Sequence, residues 1–349
     1  MKQFVKLQKL KAGDQVAVIS PSNGLPQIFP HPFELGLKRL QDIFGLVPKE
    51  YPTTRIMGAP LKDRARDIMA AFADPENKAV FTSIGGEDQI QLIKYLDPQV
   101  FLDNPKPFLG YSDNTHIHNF LWNLGIPSYY GGAIMTNFGM SVEMFPMTVD
   151  SIKNALFVGD EYEVKASKQY NDIGLDWADK ANLERPRTME PNDELYWDGS
   201  GVVEGTLWGG CVESLIFQAT VGKYLPKDSD LEGVVLFIET AEDIPESWIP
   251  AYLLRGFGER GWFDKIQAVI VGRPKAWEFD KPNSAEKKAA YRKEQRDEIV
   301  RSIRQYNPTI PIVQNLDFGH SDPQILLPSG GRIKINTQEK TIKLAFNHA

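Results

Sequence analysis

The stretch Pro107-Phe108-Leu109-Gly110-Tyr111-Ser112-Asp113-Asn114-Thr115 decides the fold. Its apolar run stops at Gly110, and the residues that follow place Ile117, Phe120, Leu121 and Leu124 at helical spacing. The reading is a short buried strand, a sharp turn and a helix, with Ser112 on the turn. A hydroxyl in that position stands clear of the sheet, beside the free N–H groups and positive dipole end of a helix, where developing negative charge is stabilised. GYSDN lacks the second glycine of the GxSxG elbow. The turn alone therefore leaves two readings open: Ser112 as a nucleophile, or Ser112 or Asp113 as an ordinary helix N-cap.

Upstream, residues 15–20 (QVAVIS) and 80–84 (VFTSI) read as buried strands, each running into a glycine-containing loop. Phe33, Leu37, Leu40 and Phe44 share one helical face, as do Leu61, Ala65, Ile68, Met69 and Phe72. The Gly85-Gly86 turn matches neither GxGxxG nor a P-loop, and reads better as backbone N–H groups open to a reacting carbonyl, or as a turn chosen for geometry. A helix is expected from that turn through Tyr95. Downstream, a strand at 126–130 and a helix near 147–157 continue the alternation, so residues 1 to about 160 form a flavodoxin-like, mainly parallel sheet flanked by helices.

Residues 161–200 are polar and turn-rich, which suits a crossover with a loop covering a site. The loop holds Trp177 and Trp197; Trp177 is the candidate for stacking on a substrate, the alternative being that both simply pack an interface. Residues 201–349 are expected to form a smaller, mixed, β-rich α/β domain, with the site in the cleft between. There residues 234–238 (VVLFI) make a buried strand ending at Glu239, an acid that needs a partner. Residues 266–271 give another strand, and 283–306 a charged helix with Asn283 and Glu286 as its capping pair. A strand at 310–313 leads to the loop Asp317-Phe318-Gly319-His320-Ser321-Asp322-Pro323.

With 349 residues, 42% hydrophobic and 24% charged, the chain has room for two domains of a folded enzyme. A net charge of −7 without a basic cluster argues against a nucleic-acid partner. No apolar run reaches the length of a membrane span, and the first residues are too polar for a signal-peptide core, which predicts a cytoplasmic protein with no membrane partner. One cysteine, Cys211, excludes an internal disulfide, and five histidines without HExxH give no metal site; no cofactor is expected.

A serine nucleophile needs a base, and the base needs a group to orient it. Of the histidines, His348 lies at the chain end and His31 between two prolines, while His116 and His118 follow Ser112 at a helix amino end, where positive charge is disfavoured. His320, on a glycine-flanked loop after a strand, remains as the base, with Glu239 as its orienting acid. A loop histidine is commonly structural and a strand-end acid commonly pairs with an arginine. Convergence of all three strand ends on one cleft is what favours catalysis.

GYSDNT around Ser112, the Gly85-Gly86 turn, GTLWGG, FIETAED around Glu239, FGHSDP around His320 and the opening KAGDQVAVISPS occur in the order that resembles the LD-carboxypeptidase family of serine peptidases, over almost the whole chain. The resemblance implies a Ser112–His320–Glu239 triad hydrolysing an amide through an acyl-enzyme, with the backbone N–H groups of Gly86 and Asp113 as the oxyanion hole. It also implies a homodimer, for which the sequence carries no interface signature. SIGGEDQIQLI resembles the microcin immunity branch, which cleaves aminoacyl- or peptidyl-nucleotides; the alternative is a murein tetrapeptide LD-carboxypeptidase releasing terminal D-Ala. A third reading is a non-catalytic nucleotide- or peptide-binding protein. Cys211 stands where that family leads one to expect Asn, which leaves the role of GTLWGG open.

Overall fold

The computed structural model describes residues 2–159 and 161–346. The first sheet has six strands, in the order Leu327–Ser329, Ser128–Tyr130, Phe108–Gly110, Asn77–Thr82, Gln15–Ile19 and Val47–Glu50. Its five strands from the first 130 residues run parallel in the flavodoxin-like order 2-1-3-4-5. The helices expected on its faces are present: Pro30–Phe44 buries Phe33, Leu40 and Phe44, and Leu61–Ala73 buries Ala65, Ile68 and Phe72. Strand order reverses between Gln15–Ile19 and Asn77–Thr82, and a crevice at the carboxyl ends of the strands opens at such a switch point. The loops leaving those two strands hold Asn23 and Gly86.

The second sheet is mixed and wider, with eight strands in the order Glu161–Glu163, Thr341–Ala345, Arg332–Asn336, Val202–Cys211, Val234–Glu239, Ala268–Gly272, Ile312–Leu316 and Tyr196–Asp198. Its four central strands are parallel, its outer ones antiparallel. Residues 161–200, read as crossover and covering loop, supply both outermost strands, and Leu327–Ser329 returns from the second half to edge the first sheet.

Helix Thr115–Leu124 carries the contact between the sheets. Ile117 and Leu121 are buried in the core of the first, while Trp122, fully buried, packs in the core of the second and donates to the Leu207 carbonyl at 3.1 Å. Here GTLWGG acquires a role. A Cβ on Gly210 would lie 2.3 Å from Thr115 Cγ2, and the amide of Cys211 donates to Thr115 Oγ1 at 2.9 Å. Glycine lets the strand close onto the first turn of the helix behind Ser112.

Two local expectations need correction. After Gly85-Gly86 the chain forms two short 3-10 turns, Gln89–Gln91 and Ile93–Tyr95, because the side chain of Gln89 and its amide are drawn into bonds with Asn114, Ser22 and Asp113. The charged helix runs Ala285–Arg304 and is capped by Ser284, whose hydroxyl accepts from the Lys287 amide, while the Asn283 side chain bonds the Ala276 carbonyl instead. His348 falls outside the described residues.

Candidate active site

Ser112 stands at φ +63°, a left-handed conformation that costs a non-glycine residue about 1–2 kcal/mol and persists only where neighbours enforce it. Several do. Asn114 Nδ2 donates to the Tyr111 carbonyl at 2.9 Å, and the Ser112 amide donates to the Tyr130 hydroxyl at 3.1 Å. Asp113 turns its carboxylate inward to accept from Ser22 Oγ at 2.7 Å and the Gln89 amide at 3.0 Å. Burial raises that carboxyl to about 6. The Gly85-Gly86 turn lies against the serine: a Cβ on Gly85 would come 3.0 Å from Ser112 Cβ, and one on Gly86 would strike Ser22 Cβ at 2.7 Å.

The helix that begins after the turn explains the two nearby histidines. His118 is fully buried, with Nε2 on the Gly110 carbonyl at 2.8 Å and Nδ1 on Ser128 Oγ at 2.7 Å, and burial lowers it to about 4. His116 is likewise fully buried against Gln218 and lowered by burial to about 3. Both are part of the packing under the turn.

Glu239 ends the buried strand Val234–Glu239 and is itself buried. Its Oε1 accepts from the Tyr130 hydroxyl at 2.5 Å, and its Oε2 faces His320 Nδ1 at 2.6 Å. Two glycines make the room: a Cβ on Gly319, at φ +97°, would lie 2.6 Å from Glu239 Oε2, and one on Gly272 would lie 2.9 Å from Glu239 Cβ. The His320 ring packs edge-on to Tyr111 at 5.0 Å between centroids. Its other nitrogen, Nε2, faces Glu242 Oε2 at 3.0 Å. Burial opposes a charge on this ring, but the carboxylates of Glu239 and Glu242 outweigh it and hold the imidazole well above its ordinary range.

Ser112 and His320 line one cavity of about 500 Å³, with Gly86 and Trp177 also in its wall. Glu239 stands behind His320, and of Asp113 only the backbone remains available, its carboxylate being engaged below. Trp177 contacts Phe29 edge-on at 5.9 Å and lines the cavity, whereas Trp197 lies on the outer strand Tyr196–Asp198, away from it. A serine and a histidine in the wall of one cavity, the histidine tied to a buried carboxylate, are the groups that nucleophilic acyl transfer uses. Among the described residues, no group of three or more His, Cys, Asp or Glu is placed to hold a metal ion. No helix among them is long and apolar enough to cross a membrane.

Two polar residues of this site went unread in the sequence. Tyr130 sits in an aromatic pair before a double glycine and looks like core; nothing local marks its hydroxyl. Glu242 was legible as the second acid of FIETAED, three residues after Glu239, and so within reach of the same ring.

The N-terminal domain of the LD-carboxypeptidases matches residues 16–131, and their C-terminal domain residues 204–335. A putative carboxypeptidase of Treponema pallidum is 29% identical, covering 97% of this chain and 94% of its own. The microcin C7 self-immunity protein MccF of Escherichia coli is 25% identical, over 96% of this chain and 94% of its own. The crystal structure of an MccF-like protein from Streptococcus pneumoniae in complex with AMP superposes with a TM-score of 0.82 at 27% identity, covering 96% of this chain and 99% of that one. Matched in both halves of the molecule, the chain belongs to the LD-carboxypeptidase family, as a serine-type carboxypeptidase.

Proposed function

We propose that this chain cleaves the amide that joins an aminoacyl or peptidyl group to a nucleotide, with Ser112, His320 and Glu239 as its triad. Ser112 Oγ attacks the scissile carbonyl carbon while His320 Nε2 takes the hydroxyl proton, and the carbonyl oxygen becomes an oxyanion received by the N–H groups of Gly86 and Asp113. The C–N bond breaks as His320 returns the proton to the leaving nitrogen. Water, deprotonated by the same ring, then attacks the acyl-enzyme and releases the acid and Ser112. Glu239 fixes the ring with its Nδ1–H toward the acid and stabilises the imidazolium; it takes no proton itself.

The observation that carries the choice of substrate is the wall of the cavity. Trp177, Phe29 and Phe279 line it together with Ser112 and His320, which suits a leaving group with a flat π face. The relation to MccF, and the AMP bound by the MccF-like protein of Streptococcus pneumoniae, support the same reading. We take the working unit to be a homodimer, as the family resemblance implies, acting in the cytoplasm. The test is incubation of purified protein with aspartyl sulfamoyl adenosine and, separately, with a murein tetrapeptide, reading products by mass. Release of sulfamoyl adenosine supports the proposal; release of D-Ala alone moves the assignment to murein.

A further inference from the structure

Gln89, three residues after Gly86, is fully buried, and every hydrogen-bonding group it owns is engaged. Its Nε2 donates to Ser22 Oγ at 3.0 Å and to Asn114 Oδ1 at 2.9 Å, and its Oε1 accepts from the Ile117 amide at 3.1 Å. Its own amide donates to Asp113 Oδ2 at 3.0 Å, and its carbonyl accepts from the Leu92 amide at 2.9 Å. Burying a carboxamide costs free energy that an apolar side chain of the same volume does not, and the neighbouring Leu92 and Ile93 are apolar and buried. What sets Gln89 apart from a core filler is what it joins. Ser22 belongs to the loop after the first strand, Asp113 and Asn114 follow Ser112 directly, and Ile117 lies in the first turn of the helix behind them.

The turn that carries Gly86 is thereby tied at both ends to the residues after Ser112. At its start the Ile84 carbonyl accepts from Asn114 Nδ2 at 3.3 Å; at its end Gln89 bonds Asn114 Oδ1 and Asp113 Oδ2. Arg64 holds the same end from the other side, with bonds to Asp88 at 2.8 and 2.7 Å and to the Pro21 and Ser22 carbonyls at 3.0 and 2.7 Å. Between these ties the two glycines lie where a side chain would not fit. A Cβ on Gly85 would come 3.2 Å from Ser112 Oγ, and one on Gly86 2.7 Å from Ser22 Cβ.

We propose that Gln89 is a positioning residue of the hydrolysis, which fixes the Gly86 N–H relative to the Asp113 N–H so that both reach one oxyanion. The inference rests on the reading of Ser112 as nucleophile and of those two amides as its oxyanion donors. Donors on separate loops serve one oxygen only while their spacing is held to within about 0.5 Å. Gln89 and its partners after Ser112 hold that spacing from beneath, out of reach of substrate. Because the oxyanion forms only on attack, a loosened spacing weakens the transition state and leaves ground-state binding nearly untouched.

The test uses whichever of aspartyl sulfamoyl adenosine and the murein tetrapeptide the intact protein cleaves, since an oxyanion arises in both. In Gln89→Leu, kcat falls on the order of a hundredfold while KM stays within about threefold. Gln89→Glu keeps an oxygen for the Ile117 amide and, as a buried neutral acid, one donor, and loses about tenfold in kcat. A folded Gln89→Leu protein with unchanged kcat, or with a raised KM alone, overturns the proposal; should that variant not fold, Gln89→Glu decides by the same split. Failure of the intact protein to cleave either compound removes the functional reading, and labelling of Ser112 by a fluorophosphonate then decides the role of Gln89. There Ser112 Oγ displaces fluoride from phosphorus, its proton passing to His320, and the phosphoryl oxygen takes the place of the oxyanion. Labelling about a hundredfold slower in Gln89→Leu supports the proposal. Equal rates in the two proteins, or no labelling of either, overturn it.

Discussion

The Tyr130 hydroxyl donates to Glu239 Oε1 at 2.5 Å while accepting the Ser112 amide N–H at 3.1 Å. One phenol from the first sheet thereby fixes both the backbone of the serine and the acid that ends a strand of the second. Burial and the nearby Glu239 charge hold this phenol well above its ordinary range, so it stays a donor throughout the working pH range. Tyr130→Phe removes a bond to a buried charged acceptor, worth about 1.5–3 kcal/mol, and kcat/KM should fall roughly tenfold to a hundredfold. The loss should sit in kcat, because Tyr130 does not line the cavity. A variant with unchanged kcat and raised KM would show that the phenol supports substrate binding instead.

Removing the triad should show the three groups to act as one. Ser112→Ala and His320→Ala should each lower kcat by about 10⁴ or more, and the double variant should be little worse than either. Glu239→Gln keeps the shape but not the charge that stabilises the imidazolium, and should fall between them and wild type. His116→Ala is the control: fully buried and joined to Gln218, it should cost stability, read by denaturant midpoint, far more than it costs kcat in the folded fraction.

Four strands of the first sheet were legible because each lies in a short apolar run ended by a glycine, proline or polar loop, and the helices Pro30–Phe44 and Leu61–Ala73 repeat their apolar residues at three and four; the edge strands Val47–Glu50 (VPKE) and Leu327–Ser329 (LPS) carry no such run. Ser112, Glu239 and His320 could be picked out as candidates because each stands at or just after a strand end, where a parallel sheet collects its site. What the sequence hides is long-range compensation. The role of Gly210 depends on Thr115, almost a hundred residues away, and nothing next to the double glycine before Cys211 points to it. The 3-10 turns after Gly86 arise because buried partners from two other loops outcompete helix formation at Gln89.

On the proposed reading, Trp177 should discriminate between leaving groups. Stacking of a base on an indole contributes about 1–3 kcal/mol, whereas a D-Ala leaving group presents no π face. Trp177→Ala should therefore raise KM for aspartyl sulfamoyl adenosine roughly tenfold with kcat little changed. Equal effects on substrates with and without an aromatic leaving group would reduce Trp177 to a packing partner of Phe29.

Acid should loosen the molecule from beneath Ser112. His118 is lowered by burial to about 4, against an ordinary value of 6.5, with Nε2 on the Gly110 carbonyl and Nδ1 on Ser128. Since the folded value lies below the unfolded one, the unfolded chain binds this proton first as pH falls. The stabilisation is fully present above pH 6.5 and is lost on descending to about 4. At 1.36 kcal/mol per unit, the part lost between pH 7 and 5 is about 2 kcal/mol. Asp113 works the other way: its folded value, raised by burial to about 6, lies above that of an ordinary carboxyl, so it gives stability below pH 3.8 that is lost as pH rises through 6. Denaturant unfolding at pH 7 and pH 5 should show wild type weaker at pH 5, and His118→Gln, lower at pH 7, should lose less than wild type between the two. Parallel losses in both proteins would place the acid sensitivity elsewhere than in His118.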